Sequence, residues 1–209
     1  MPKVLFVKAN NRPVEQSVSV KLYETFLNNY KESNPNDEIV ELDLFAENLP
    51  YYDTRMISGM FKLTREMGEP TIEEKQATDI LNKYLNQFLS ADKVVFAFPM
   101  WNFTIPAVLL TYMNYLCQAG KTFRYTPEGP IGLIPDKKVA LLSARGGIYS
   151  EGPAVSKEMA VNYVTNILEF FGVKSMTTVI VEGHNQFPDK AEEIISEGIE
   201  TAEYAAKTF

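Results

Sequence analysis

Apolar residues fall into short runs separated by longer amphipathic stretches. Val4-Leu5-Phe6-Val7, Ile39 to Leu44, Val94-Val95-Phe96, Val139 to Ser143 and Thr178 to Val181 are bounded by polar residues. Such runs predict strands, and a continuous one such as Val4 to Val7 suits a fully buried parallel strand. Between them the apolar positions adopt helical spacing. A helix starts near Ser17 with Leu22, Phe26 and Tyr30 on one face, and Asn34-Pro35-Asn36-Asp37 supplies the turn that ends it. Thr71-Ile72-Glu73-Glu74 resembles a capping box and opens a helix carrying Ala77, Ile80, Leu81, Tyr84, Leu85, Phe88 and Leu89. Ala107 to Cys117, with Pro106 at the first helical position, predicts a third helix. Tyr163 to Phe171, stopped at Gly172, predicts a fourth, and Asp189 to Lys207 a terminal one.

Strands alternating with helices predict an α/β fold: a doubly wound five-stranded parallel sheet, order 2-1-3-4-5, with helices on both faces. The length suits a single domain over residues 1–209. Two segments stand outside the alternation. Residues 45–70 are an apolar insertion containing Tyr51, Tyr52, Met56, Met60, Phe61 and Met67, part of it a helix from about Asp53 to Arg65. It is too apolar for a linker and is expected to cover its own core, a ligand or a second subunit. Residues 121–136 form a long connection.

Charge narrows the partners. Twenty Lys and Arg against 27 Asp and Glu give a net charge of -7. That argues against nucleic acid, which needs a basic face, but leaves room for one phosphate at a helix N-terminus. No apolar stretch is long enough to cross a bilayer, so no membrane association is expected. Met1-Pro2-Lys3 runs directly into strand-like sequence, so no signal peptide is expected. Cys117, the single cysteine, permits no internal disulfide, and a cytoplasmic protein is expected.

In the 2-1-3-4-5 order, three loops meet at the carboxyl edge of the sheet, beside the point where strand order reverses. Residues 9–19 bring Asn10, Arg12, Gln16 and a helix start at Ser17-Val18-Ser19, where amides, hydroxyls and the helix dipole can hold a phosphate. Ser17 also reads as a plain N-cap. Neither a Walker loop nor a Gly-x-Gly-x-x-Gly turn is present. Residues 99–105, Pro99-Met100-Trp101-Asn102-Phe103-Thr104-Ile105, form a stiff aromatic and amide-bearing loop suited to a flat ligand, or simply well packed. Residues 143–149, Ser143-Ala144-Arg145-Gly146-Gly147-Ile148-Tyr149, hold a glycine pair that lets backbone amides approach a ligand, or makes a turn.

Pro99 to Phe103, Ser143 to Gly147 and Gln16-Ser17-Val18-Ser19 together resemble the FMN-dependent NADH azoreductases, also called NADH:quinone oxidoreductases, which have a flavodoxin-like fold. Gly120 to Thr126 and Gly129-Pro130-Ile131-Gly132 are similar to the segment that follows in that family, and the resemblance covers essentially the whole chain. It implies FMN as cofactor, NADH as electron donor, and quinones and azo compounds as acceptors in ping-pong two-electron transfer. It implies a phosphate held by Gln16, Ser17, Val18 and Ser19 with Asn10 near. The ring would lie against Pro99, Met100, Trp101, Asn102 and Phe103, and against Ser143, Ala144, Arg145, Gly146 and Gly147. At a position near Asn10 the family often has serine. The flavin carries the electrons, so no catalytic nucleophile or metal is expected. Asn102 and the amides of Gly146 and Gly147 would tune the flavin, and Tyr125 is a candidate at the substrate. The resemblance also implies a homodimer with sites at the interface.

A flavodoxin-type electron carrier is the alternative. The chain length and the 45–70 and 119–136 segments speak against it. His184, the single histidine, reads as a solvated loop residue, and Cys117 as an inert buried thiol.

Overall fold

The computed structural model describes residues 1–65 and 67–209. In chain order the strands are β1 (Lys3–Lys8), β2 (Glu38–Asp43), β3 (Lys93–Pro99), β4 (Phe123–Thr126), β5 (Gly129–Gly132), β6 (Lys138–Arg145) and β7 (Ser175–Glu182). The helices are α1 (Val18–Ser33), α2 (Thr54–Arg65), α3 (Ile72–Ser90), α4 (Ala107–Leu116), α5 (Val161–Phe170) and α6 (Ala191–Thr208). Five strands form one parallel sheet in the order β2-β1-β3-β6-β7, the expected 2-1-3-4-5 arrangement.

The continuous apolar runs explain the layering. In the central strands alternate residues face opposite ways, so both faces must be covered. Leu5, Val7, Phe96 and Leu141 enter a core closed by α2, α3, α4 and α5. Val4, Phe6, Val95 and Ala140 enter a second core closed by α1 and α6. The capping box opens α3 as its sequence implies: Glu74 N–H donates to Thr71 Oγ1 at 3.2 Å, and Thr71 N–H to Glu74 Oε2 at 2.7 Å.

The apolar insertion packs on the protein's own core. Met56 and Met60 of α2 are buried there, and a Cβ on Gly59 would come within 2.6 Å of Thr78 Cγ2 on α3. Residues 121–136 differ from the expected plain connection. They fold into the antiparallel hairpin β4–β5, with Gly129 at φ +123° in its turn and Phe123 anchored 4.4 Å from the Phe170 ring. Pro106 is the residue before the first turn of α4 rather than the first inside it. Cys117 ends that helix half-buried, and burial pushes its thiol up to about 11. Among the described residues no helix is long and apolar enough to cross a membrane.

Candidate functional site

The exits of β1, β3 and β6 lie side by side, and the loop after β7 joins them. At the first exit Asn10 is 2% exposed, and its Oδ1 accepts the Arg12 N–H at 3.0 Å. The amide nitrogen therefore faces the serines and donates to Ser17 Oγ at 2.8 Å and Ser19 Oγ at 3.0 Å. Ser17 also accepts the Val20 N–H at 3.4 Å, so it is the N-cap of α1 as well. Gln16 N–H and Ser17 N–H turn back to Pro13 O and Val14 O, at 3.0 and 3.4 Å. The N–H groups of Val18 and Ser19 stand ahead of the first intrahelical bond, Lys21 N to Ser17 O at 3.0 Å, and point out of the helix start.

At the second exit Trp101 and Thr104 exchange both backbone hydrogen bonds, at 2.9 and 3.1 Å. Asn102 and Phe103 between them sit at φ +50° and +71°. A two-residue turn with both φ angles positive suits asparagine, but the left-handed region costs a residue such as Phe103 about 1–2 kcal/mol. Neighbours hold it there. Met159 N–H donates to Phe103 O at 2.9 Å, Lys157 Nζ lies 5.7 Å from the Phe103 ring centre, and Tyr149 meets that ring edge-on at 6.2 Å. Trp101 packs edge-on against Phe45 at 6.2 Å.

At the third exit the glycine loop is clamped at both ends by Glu182. Its Oε2 accepts from Arg145 Nε at 2.8 Å, Tyr149 N–H at 2.8 Å and Ser150 N–H at 3.2 Å, and Ser150 Oγ donates to Oε1. Burial works to raise the Glu182 pKa, but Ser150, the Tyr149 amide and Arg145 together hold it below the usual carboxylate range. Arg145 Nη1 also lies 3.3 Å from Glu158, whose carboxylate accepts the Ala160, Val161 and Asn162 N–H groups at the start of α5. Gly146 O accepts from Asn185 N–H and Gln186 N–H, both at 3.0 Å. Among the described residues the N–H groups of Gly146 and Gly147 make no hydrogen bond within the chain.

These exits enclose a bent cleft. A cavity of about 400 Å³ runs over Asn10, Gln16, Ser17, Val18 and Ser19 to Pro99, Met100, Trp101, Ala144, Arg145 and Gly146. A second, of about 470 Å³, continues past Met100 and Gly146 to Asn102, Phe103, Gly147 and Tyr149. One end offers hydroxyls and helix-start amides, and the other offers aromatic walls and free glycine amides.

The flavodoxin-like fold family matches residues 2–205. A Bacillus cereus protein named FMN-dependent NADH:quinone oxidoreductase 3 is 65% identical over 209 residues, covering both chains completely. The chain belongs to this flavodoxin-like family of FMN-dependent NADH:quinone oxidoreductases. Within it, a crystal structure of azoreductase from Bacillus anthracis strain Sterne superposes with a TM-score of 0.98 at 64% identity and full coverage of both chains. An FMN-dependent NADH-azoreductase from Bacillus anthracis strain Ames Ancestor, solved in complex with FMN, gives 0.90 at 28% identity, covering 100% of this chain and 99% of the other.

The cleft of this oxidoreductase fits FMN on its own geometry. A phosphate needs hydrogen-bond donors at a helix start, and Val18 N–H, Ser19 N–H and the two serine hydroxyls are there. A ring with polar edges needs donors beside an apolar wall, and the Gly146 and Gly147 amides lie beside Met100 and Phe103. Among the described residues His184 Nδ1 has no partner, and it is buried in the wall of the first cavity.

Four sequence readings change. Ser143 is fully buried in β6 between Phe98 and Ile180, its Oγ has no partner among the described residues, and it lines neither cavity. Arg145 reaches the cavity wall, but its guanidinium is engaged by Glu182 and Glu158. Tyr125 stands 73% exposed on the β4–β5 hairpin and lines neither cavity of this chain. His184 is no freely solvated loop residue: it is half-buried, burial lowers its pKa, and it shares the cleft with Asn185, while Gln186 lines the outer cavity. The topology alone could have found these three, because the loop after the fifth strand must emerge at the same sheet edge.

Proposed function

We propose that this chain is an FMN-dependent NADH:quinone oxidoreductase that also cleaves aromatic azo bonds. The single observation that carries the reading is the continuous cleft, with donors for a phosphate at one end and free glycine amides beside aromatic walls at the other. Family membership over the full length supports it. When bound, FMN supplies two-electron hydride chemistry between NADH and the acceptor. One NADH and one proton convert a quinone to a hydroquinone, and two of each convert an azo compound to two amines.

The chain's residues bind, orient and stabilise. We assign Val18, Ser19, the Ser17 and Ser19 hydroxyls and Gln16 to the phosphate. Pro99, Met100, Trp101, Asn102 and Phe103 form one wall for the ring, with Ala144 and Arg145 in the other. Gly146 and Gly147 direct preorganised amides at the ring edge, where negative charge accumulates on reduction. The outer cavity beside Asn102, Phe103 and Tyr149 takes NADH and then the acceptor in the same place, which gives ping-pong kinetics. The whole chain acts as one FMN-binding domain, and the protein works as a cytoplasmic homodimer. Phe103 and Met159, joined by a backbone bond and 40% and 50% exposed, offer apolar surface at the cleft for a second copy.

The test is spectroscopic. Ligand-free protein is loaded with FMN, mixed with NADH without oxygen, and then given a small quinone. Loss of flavin absorbance with NADH and its return with quinone is the expected result. Flavin that NADH leaves oxidised supports the electron-carrier alternative instead.

A further inference from the structure

We propose that Asn10 is a positioning residue that sets the Ser17 and Ser19 hydroxyls as donors toward the flavin phosphate. The inference rests on the FMN reading above and concerns how this chain achieves it.

Hydrogen-bond polarity at Asn10 fixes which way each group points. An amide side chain offers donors at one end and an acceptor at the other. Here the acceptor end is fixed, because Asn10 Oδ1 takes the Arg12 N–H at 3.0 Å. Nδ2 must then face Ser17 Oγ and Ser19 Oγ, at 2.8 and 3.0 Å, and give a hydrogen to each. A hydroxyl that accepts from an amide keeps its own hydrogen for another partner. Ser17 Oγ accepts twice, from Asn10 and from Val20 N–H at 3.4 Å. The two serine oxygens lie 3.3 Å apart, so without a ligand one can rest on the other. Asn10, Ser17 and Ser19 are all at most 5% exposed, so water competes little for these bonds. The cavity wall contains all three. A phosphate oxygen accepts only, and it meets two hydroxyls already turned to donate.

Asn10→Asp tests the polarity with little change of shape. A carboxylate at residue 10 accepts where the amide donated, so both hydroxyls turn inward and a negative charge stands behind them. Asn10→Ala removes the orienting group and adds no charge. Ligand-free wild type and both variants are titrated with FMN and with riboflavin, which lacks the phosphate, by quenching of flavin fluorescence. Their unfolding midpoints are measured alongside.

Losing two hydrogen bonds to a charged group predicts at least about a hundredfold weaker FMN binding for Asn10→Asp. Asn10→Ala, whose hydroxyls keep some freedom to donate, is expected to lose about tenfold. Riboflavin affinity is expected to stay within about threefold in both. Should Asn10→Asp fail to fold, Asn10→Ala carries the test through the same FMN-to-riboflavin ratio. Unchanged FMN binding in the variants, or equal losses of FMN and riboflavin, overturns the proposal while leaving the cofactor assignment intact. A wild-type protein that binds no FMN overturns the functional reading itself.

Discussion

At the start of α1 the cleft is shaped by three uncharged side chains, Asn10, Ser17 and Ser19, linked at 2.8 to 3.3 Å. At the glycine loop it is shaped by one guanidinium between two carboxylates, Arg145 between Glu182 and Glu158. The neutral cluster avoids the desolvation of ions and keeps hydroxyl hydrogens available for a ligand. The ionic cluster consumes its own donors. What it delivers is backbone geometry: Glu182 ties Arg145 to Tyr149 and Ser150, so the two glycines between them are held with their amides free. Glu158 extends the clamp, since its neighbour Met159 holds Phe103 O at 2.9 Å. One end of the site touches its ligand through side chains, and the other through main chain that side chains hold in place.

The largest effect expected from breaking this contrast is at Glu182. Glu182→Ala leaves Arg145 buried with one partner and strips an acceptor from two loop amides. A loss of about 3–5 kcal/mol in urea unfolding is expected, and a loss below about 1 kcal/mol would show that the loop is held by something else. Gly146→Ala comes next. Its Cβ would lie 2.4 Å from Asn185 Nδ2 and 3.0 Å from Asn185 Cβ, so the Asn185 side chain must turn away from the glycine loop. Overpacking of that kind costs about 1–3 kcal/mol of folding stability, read in urea unfolding, with binding of FMN and riboflavin weakened alike. Selective loss of FMN alone would move the ring away from this loop.

A smaller effect is expected with pH. Burial lowers the His184 pKa, so the folded imidazole takes its proton at lower pH than the unfolded one, whose pKa is about 6.5. Below that value the unfolded chain binds the proton first, and stability of the ligand-free protein falls as pH drops toward the folded pKa. His184→Gln is expected to remove that part of the slope in denaturation curves measured from pH 7.5 to 5. Equal slopes in the two proteins would refute it. The smallest effect belongs to Ser143, whose buried Oγ has no partner among the described residues. Ser143→Ala is expected to change the stability of the ligand-free protein by less than about 1 kcal/mol, in the stabilising direction. A clear destabilisation would mean that the hydroxyl is bonded after all.

The neutral end was legible in the sequence because its parts lie close together. Asn10, Ser17 and Ser19 fall within ten residues and straddle a recognisable helix start. The sheet was legible for the same reason: each strand's burial is written in its own run of apolar residues. The ionic end was not. Arg145 finds its partners 13 and 37 residues away, at Glu158 and Glu182, and nothing local distinguishes an arginine held by carboxylates from one aimed at a ligand. Ser143 and Ala144 read alike as site residues, but alternation turns only Ala144 to the cleft and Ser143 to the interior. The β4–β5 hairpin escaped because its strands are four residues each and carry no clear period.

A crystal structure of this protein with FMN is the decisive measurement. The phosphate is expected within hydrogen-bond reach of the Val18 and Ser19 amides and the Ser17 and Ser19 hydroxyls. The ring is expected between Met100 to Phe103 and Gly146-Gly147. A phosphate away from the start of α1, or a ring outside these two loops, would contradict it.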